Sequence, residues 1–169
     1  FNNRIYGLTK GQYSPTSELG KVNKSAPFGT VDQPINPISL ALASEATFIG
    51  RSVAVYAKHL MQIFRDVAAH KGSVFIEIFQ NFNVYNDKTF SNVTERDVRD
   101  DQNVLLEHGK PLLFGKENKR GLVFQDHKMR AATIGEDGVT EKDVIVHDET
   151  DASLAYMLSR LGPPDMPTP

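Results

Sequence analysis

The feature that most constrains the fold is a helix-like segment between two short, apolar, strand-like segments. Residues 54–69 carry apolar side chains at three- and four-residue spacing, which predicts an amphipathic helix, and Gly72 is a typical helix stop. Residues 47–49, closed by Gly50, and residues 73–79 are rich in Phe, Ile and Val, which predicts two strands. Strand, helix and strand in that order favour a right-handed parallel crossover, so we expect an α/β domain.

Three further helices are predicted from their starting residues. Asn36 followed by Pro37 predicts a short helix, because proline is favoured in a first helical turn. Thr94 and Glu95 predict a helix start in the polar stretch that precedes residue 103. Asp151 is a good capping residue for a final helix, which we expect to end at Gly162.

Short apolar runs predict a small β-rich region near the end of the chain. We expect a hairpin and two further strands, at residues 104–106 with 112–114, 121–124 and 143–146. The chain is therefore expected to have two parts. Residues 1–100 form an α/β core, and residues 101–169 form a smaller β-rich extension.

Composition excludes several classes of protein. The 169 residues are 40% hydrophobic and 24% charged, as in ordinary globular domains. The net charge of −2 gives no indication of a nucleic-acid surface, and no apolar run approaches the roughly 20 residues that cross a bilayer. Cysteine is absent, which excludes disulfides and thiolate metal sites within these residues. We expect a cytoplasmic protein without nucleic-acid or membrane partners.

The first twelve residues carry the strongest indication of function. Phe1 followed by Asn2 and Asn3 is typical of a buried strand that ends in two amides. An amide oxygen is a hard, neutral ligand suited to a magnesium ion that already holds phosphate oxygens and a carboxylate. The loop that follows contains glycines, which permit turns and close approach to a ligand, and then Thr9 and Lys10, which suit anions. Open α/β sheets bind ligands just past the carboxyl ends of their strands.

The same residues resemble a known family. The run FNNRIYGLTKGQYSPTSE, together with VDQPINPISLALASEATFIGRS, FIEIFQN, VHDE and SLAYMLSRLG, is similar to the beta subunit of 2-oxoacid:ferredoxin oxidoreductases, most closely the 2-oxoglutarate type. The resemblance covers nearly the whole chain. It implies a C-terminal fragment of a thiamine-diphosphate-binding subunit, with part of a doubly wound parallel sheet and a small β-rich extension.

The resemblance also implies an activity and its partners. Such enzymes oxidatively decarboxylate a 2-oxoacid with coenzyme A to give an acyl-CoA and carbon dioxide, and they reduce ferredoxin. The implied cofactors are thiamine diphosphate and Mg²⁺, and the implied partner is the alpha subunit of the same enzyme. In this family a GDG carboxylate lies upstream and the activating glutamate belongs to the alpha subunit, so residues 1–169 alone are expected to be inactive.

Site residues follow from the resemblance, position by position. It implies that Asn3 and the backbone carbonyl of Ile5 bind the magnesium ion, and that Lys10 pairs with the substrate carboxylate. Arg51 is a candidate for the second carboxylate of a five-carbon diacid. The residues implied to pack against the cofactor are Gly7, Leu8 and Thr9.

Phe82 departs from the family pattern. Related subunits carry a cysteine of a [4Fe–4S] cluster in a Gln-x-Cys context after the FIEI strand, and here that context reads Gln80-Asn81-Phe82. Phenylalanine cannot bind iron, so the presence of the cluster stays open. Glu77, within the same apolar strand, requires a partner if it is buried.

Three functions are compatible with the sequence. The first is the redox beta subunit, and the second is a non-redox thiamine-diphosphate-dependent decarboxylase or synthase. The third is a cofactor-free assembly domain. Elsewhere, residues 147–149 (His-Asp-Glu) are interpreted as a solvated loop rather than a metal site, because three adjacent side chains at a strand end cannot all face one ion.

Overall fold

A computed structural model describes all residues 1–169, and the chain divides into two compact units, Phe1–Ser91 and Asn92–Pro169. The division into functional domains at residue 100 stays a prediction. None of the helices combines the length and the apolar character that a membrane-crossing segment requires.

The first unit is built on a pair of parallel strands, as predicted. Strand β1 (Phe48–Val53) runs parallel to β2 (Val74–Phe79), and helix α2 (Ala57–Ala69) lies between them in the sequence. The predicted end of β1 at Gly50 is wrong, because the strand continues to Val53. A Cβ at Gly50 would lie 3.1 Å from Cγ2 of Ile63, so glycine lets α2 pack closely on this strand.

Two helices of this unit start from local signals. Helix α1 (Pro37–Ala43) begins as predicted, with the Asn36 side chain accepting a 3.0 Å hydrogen bond from the Ser39 amide. Helix α2 begins at Ala57 rather than at residue 54. Residues 54 and 55 form a turn instead, which is closed by the 2.9 Å hydrogen bond from the Tyr56 amide to the Val53 carbonyl.

The start of the chain lies beside the end of β2. Asn2 forms a parallel bridge with Phe79, its amide donates to the Ile78 carbonyl at 2.8 Å, and its carbonyl accepts from the Gln80 amide at 3.0 Å. Phe1 is 84% exposed, so the prediction of a buried residue there is wrong. The expected position of the two amides, at the carboxyl end of a parallel sheet, is confirmed.

The second unit contains a three-stranded antiparallel sheet. Its strands are β3 (Leu113–Phe114), β4 (Arg120–Gln125) and β5 (Lys128–Thr133), paired in that order. Helix α5 (Ala152–Ser159) has the predicted N-cap, since the Asp151 carboxylate accepts from the amides of Ser153 and Leu154 at 2.8 and 3.0 Å. The core of this unit consists of Val104, Leu112, Phe114, Leu122, Val123, Val144, Leu154 and Leu158.

Several elements of the second half differ from the predictions. Thr94 ends a short helix, α3 (Ser91–Thr94), and a second, α4 (Arg99–Gln102), follows, so no helix begins at Thr94. The predicted hairpin of residues 104–106 and 112–114 is reduced to one bridge between Val104 and Phe114, because β3 pairs with β4.

Two strand assignments also need correction. In place of a strand at 143–146, the chain forms a 3₁₀ helix, Glu141–Asp143, followed by isolated bridges at Val144 and Val146. A second 3₁₀ helix, Lys116–Asn118, precedes β4. Strand β5 was not predicted, and α5 ends at Ser159, earlier than expected.

Candidate functional site

The Asn2 side chain holds the opening segment (residues 1–5) in place. Its Nδ2 donates to Oε1 of Glu77 at 2.7 Å. Its Oδ1 accepts from the Thr16 hydroxyl at 2.8 Å and from the Arg4 amide at 3.0 Å. Asn2 therefore ties the opening segment both to strand β2 and to the loop that contains Thr16, and it has a structural role.

Glu77 is buried and has the partner that its position requires. Arg51 lies opposite it on β1, and the Arg51 Nε to Glu77 Oε2 distance is 2.8 Å. The two side chains are 13% and 3% exposed, and the Arg51 guanidinium lies 5.1 Å from the centre of the Phe79 ring. The pairing gives Arg51 a structural role in the sheet, while its role toward a second substrate carboxylate stays a prediction.

The two oxygen atoms that the resemblance assigns to a metal make no hydrogen bond, whereas most other oxygens of residues 1–5 do. The carbonyls of Asn3 and Arg4 accept from Nδ2 of Asn86 at 3.0 and 3.4 Å, and the Ser17 hydroxyl donates to the Arg4 carbonyl at 2.6 Å. The Asn3 carboxamide and the Ile5 carbonyl remain free.

Arg4 turns the chain between these two donors. It adopts a φ of 53°, and its Nη1 forms a 2.7 Å ion pair with Oε1 of Glu18. Burial alone would raise the pKa of Glu18, but the Arg4 guanidinium, with the Thr89 hydroxyl at 3.1 Å, outweighs burial and lowers this pKa below its usual value. The carboxylate stays charged and holds the turn that separates Asn3 from Ile5.

The loop formed by residues 6–12 follows directly and projects polar side chains outward. It is closed by backbone hydrogen bonds from the Tyr6 amide to the Gln12 carbonyl at 2.8 Å and from the Gly11 amide to the Tyr6 carbonyl at 2.9 Å. Leu8 is 99% exposed, and Thr9 and Lys10 are exposed as well. The structure thus brings the residues assigned to cofactor and substrate into one loop. Their individual roles stay predictions.

The candidate metal ligands of this chain are neutral oxygen atoms. No group of three His, Cys, Asp or Glu side chains in residues 1–169 is arranged to hold one. An amide oxygen and a backbone carbonyl suit Mg²⁺ when phosphate oxygens and a carboxylate supply the negative charge. The free Asn3 and Ile5 oxygens therefore fit a magnesium–diphosphate group, with the remaining ligands supplied from outside these residues.

Phe82 lies beside the same loop, where the family resemblance places an iron ligand. Its ring packs against Gly7, and a Cβ at Gly7 would lie 2.7 Å from Cζ of Phe82. The ring offers no donor to iron, and the chain contains no cysteine. The residues present do not fit a [4Fe–4S] cluster.

The interpretation of residues 147–149 as a solvated loop is wrong for His147. This side chain is only 9% exposed, and its Nδ1 is buried without a hydrogen-bond partner. Burial lowers the pKa of His147, whereas the neighbouring carboxylates of Glu149 and Asp148 oppose that shift.

Sequence reasoning missed the residues that support the donors. Asn86, which is 2% exposed, reaches back 83 positions to the Asn3 carbonyl. Thr16 and Ser17 contact Asn2 and Arg4 from the following loop. Asn, Thr and Ser are ordinary turn residues, so nothing in their local sequence distinguishes these long-range contacts.

Comparison with known proteins supports the resemblance. The model for the C-terminal TPP-binding domain of thiamine pyrophosphate enzymes matches residues 1–78. The 2-oxoglutarate oxidoreductase subunit KorB of Mycobacterium tuberculosis (strain ATCC 25618 / H37Rv) is 42% identical over 164 residues, which is 96% of this chain and 43% of that protein. The resemblance to the beta subunits of 2-oxoacid:ferredoxin oxidoreductases is therefore confirmed.

Two further proteins support the same resemblance. The 2-oxoacid:ferredoxin oxidoreductase subunit beta of Saccharolobus solfataricus is 46% identical over 86 residues, covering 51% of this chain and 28% of that protein. A structure of the 2-oxoglutarate:ferredoxin oxidoreductase from Magnetococcus marinus with 2-oxoglutarate, coenzyme A and succinyl-CoA bound superposes with a TM-score of 0.61 at 26% identity. The match covers 99% of this protein and 43% of the Magnetococcus marinus chain. The predicted α/β fold with a parallel sheet is confirmed.

Proposed function

We propose that this chain is part of the beta subunit of an enzyme that oxidatively decarboxylates 2-oxoglutarate with coenzyme A. The products are an acyl-CoA and carbon dioxide, ferredoxin accepts the electrons, and an alpha subunit completes the enzyme. The names of the relatives and the ligands bound in the Magnetococcus marinus structure support this proposal. The chain spans less than half of each of these relatives, so the activity belongs to the complete protein.

One observation carries the proposal. Within the opening segment, the Asn2 amide and the carbonyls of Asn3 and Arg4 are all hydrogen-bonded, whereas the Asn3 carboxamide and the Ile5 carbonyl are free. These two oxygens would hold Mg²⁺ against the diphosphate of the cofactor. Both assigned metal ligands therefore have an oxygen atom that is available to a metal.

The residues of the loop have separate tasks in this proposal. Bound thiamine diphosphate supplies the carbanion chemistry that decarboxylation of a 2-oxoacid requires. Gly7, Leu8 and Thr9 pack against it, and glycine at position 7 lets the backbone approach closely. Lys10 presents a compact positive charge that pairs with the substrate carboxylate and orients it before carbon dioxide leaves.

A second candidate function is favoured by Phe82. Because this side chain cannot bind iron and the chain lacks cysteine, a non-redox thiamine-diphosphate-dependent decarboxylase or synthase is the alternative. It would use the same magnesium and carboxylate sites without an electron acceptor.

Turnover by the complete complex separates the two functions. The complex is supplied with thiamine diphosphate, Mg²⁺, 2-oxoglutarate and coenzyme A. Carbon dioxide release, acyl-CoA formation and reduction of a low-potential viologen are measured. If the complex is the oxidoreductase, acyl-CoA and reduced viologen should appear together, and both should require coenzyme A. Carbon dioxide release without reduction of the acceptor would support the alternative, and no turnover of any 2-oxoacid would contradict both.

A further inference from the structure

One short turn contacts the candidate site in three places. The turn comprises residues 82–86 and follows strand β2 by three positions. Phe82 touches the glycine loop (residues 6–12) at Gly7, Tyr85 touches it at Gly11, and Asn86 binds the carbonyl of Asn3. A single element therefore supports both the free metal donors and the loop that carries Lys10.

The contact between Phe82 and Gly7 leaves no room for a side chain on the loop. A Cβ at Gly7 would lie 2.7 Å from Cζ and 3.4 Å from Cδ1 of the Phe82 ring, and the first distance is shorter than real Cβ contacts allow. The ring therefore packs directly on the loop backbone. Phe82 itself is partly buried, although the loop beyond Gly7 projects into solvent.

The contact between Tyr85 and Gly11 repeats this arrangement at the other end of the loop. A Cβ at Gly11 would lie 3.0 Å from Cδ1 of the Tyr85 ring, and Gly11 adopts a φ of 94°. Only glycine adopts such a backbone conformation without strain. The two rings also meet each other edge-on, with centroids 5.4 Å apart.

Backbone hydrogen bonds and burial hold the turn in place. The Asn86 amide donates to the Phe82 carbonyl at 2.8 Å, and the Tyr85 amide donates to the same carbonyl at 3.2 Å. Asn86 is 98% buried, since its exposed fraction is 2%. By contrast, the exposed loop residues between the two glycines contact nothing that would fix their position, apart from the 2.9 Å hydrogen bond from the Lys10 amide to the Gly7 carbonyl.

We propose that Phe82 and Tyr85 are positioning residues that hold the glycine loop in the conformation that presents Lys10 to the substrate carboxylate. The two rings fix both ends of the loop, and Lys10 lies between them with a φ of 68°. Neither ring touches the carboxylate, so each acts through the loop backbone. This inference rests on the role of Lys10 in the proposed function.

Hydrogen exchange in the cofactor-free complex tests the support without reference to activity. In Phe82→Ala, the Gly11 and Lys10 amides should exchange about 10-fold faster than in the wild type, because the loop has lost the ring beneath it. Val84→Ala is the matched control: Val84 lies in the same turn, is 72% exposed and should leave this exchange unchanged. Unchanged exchange in Phe82→Ala would overturn the proposal.

A compensating pair sharpens the test. Gly7→Ala alone should also speed exchange in the loop, because the added methyl collides with the ring. In the Phe82→Ala background the same change should have a much smaller effect, since residues in contact are not additive. If the effects of Gly7→Ala and Phe82→Ala on exchange were additive, the proposed direct contact between the two residues would be wrong. If the complex carrying Phe82→Ala does not assemble, Phe82→Leu is used instead. Leucine retains apolar bulk, so the loop amides should again exchange faster than in the wild type, but by a smaller factor.

Steady-state kinetics of the complete enzyme test the link to Lys10. At saturating Mg²⁺ and thiamine diphosphate, Phe82→Ala should lower kcat/KM for the 2-oxoacid by about 10- to 100-fold, chiefly through KM. In a Lys10→Ala background, Phe82→Ala should change kcat/KM less than about 2-fold. If Phe82→Ala and Lys10→Ala lowered kcat/KM independently, Phe82 would not act through Lys10. Failure of the wild type to turn over 2-oxoacids would instead contradict the proposed function, and the exchange result would still decide the support.

Discussion

Nδ2 of Asn2 donates a 2.7 Å hydrogen bond to Oε1 of Glu77, which joins the opening segment to a buried strand. The other oxygen of Glu77 accepts from Arg51 at 2.8 Å, on the neighbouring parallel strand. The residue before the first candidate metal ligand is thus anchored through a carboxylate to the centre of the sheet. Asn3 owes its position to this anchor together with the Asn86 contact.

Glu77→Ala should be strongly destabilising. The change leaves the guanidinium of Arg51 partly buried without its carboxylate and leaves the Asn2 amide without its acceptor. We expect the free energy of unfolding of the complete subunit to fall by about 3–5 kcal/mol, as measured by chemical denaturation. Glu136→Ala, an exposed carboxylate, is the control and should change it by less than about 0.5 kcal/mol. A loss as small as the control's would show that the buried pair contributes little.

Lys10→Ala should weaken substrate use rather than folding. Lys10 is exposed, so its removal costs little stability, but it takes away the charge assigned to the substrate carboxylate. We expect kcat/KM for the 2-oxoacid to fall on the order of 10- to 100-fold, the usual range for a hydrogen bond to a charged group. Lys24→Ala, another exposed lysine, should leave the kinetics unchanged. Equal kinetics for the two variants would remove Lys10 from the site.

His147 should make stability depend on pH on the acid side. Burial is the main cause of its lowered pKa, so the unfolded chain binds more protons as the pH falls through the ordinary value of 6.5. The contribution of His147 to the free energy of unfolding is complete above that pH and is lost as the pH falls further. The loss is complete below the folded-state pKa. Burial lowers the pKa of His59 as well, so both residues act with the same sign.

Unfolding midpoints between pH 8 and pH 5, at steps of about 0.5, check this dependence. The decline should be shallower in His147→Gln than in the wild type, whereas the exposed residue His127 serves as the control and His127→Gln should follow the wild type. An unchanged slope in His147→Gln would contradict the assignment of this pH dependence to His147.

Asp151→Ala should weaken the final helix. The carboxylate accepts from two amides at 2.8 and 3.0 Å, and removing an N-cap costs about 1 kcal/mol. Asp151→Asn retains a capping oxygen and should recover most of the loss in a thermal or denaturant melt. If both variants lost the same stability, the cap would not be the cause.

The sequence predicted those elements that local signals determine. Asn36 and Asp151 cap helices through their own side chains, and the apolar segments that became β1 and β2 pair in parallel as their order along the chain favours. Such signals act over a few residues, so one sequence suffices to recognise them.

The missed features depend on long-range contacts or on unusual turn residues. Strand β5 follows a two-residue turn, Asp126-His127, in which both residues have positive φ values of 51° and 61°. Such a turn usually contains glycine or asparagine, so the hairpin carried no recognisable signal. In the candidate site, the assignment of Asn3 came from resemblance, whereas the supporting contact of Asn86 appears only when the chain is folded.

Cofactor titration of the complete complex carrying Asn3→Ala tests the metal site most directly. Calorimetry with thiamine diphosphate at several Mg²⁺ concentrations is compared among the wild type, Asn3→Ala and Asn83→Ala, which removes an exposed amide in the 82–86 turn. We expect Asn3→Ala to weaken Mg²⁺-dependent binding by about 10- to 100-fold, comparable to one hydrogen bond to a charged group, while Asn83→Ala matches the wild type. Wild-type affinity and wild-type Mg²⁺ dependence in Asn3→Ala would contradict the assignment of Asn3 to the metal site.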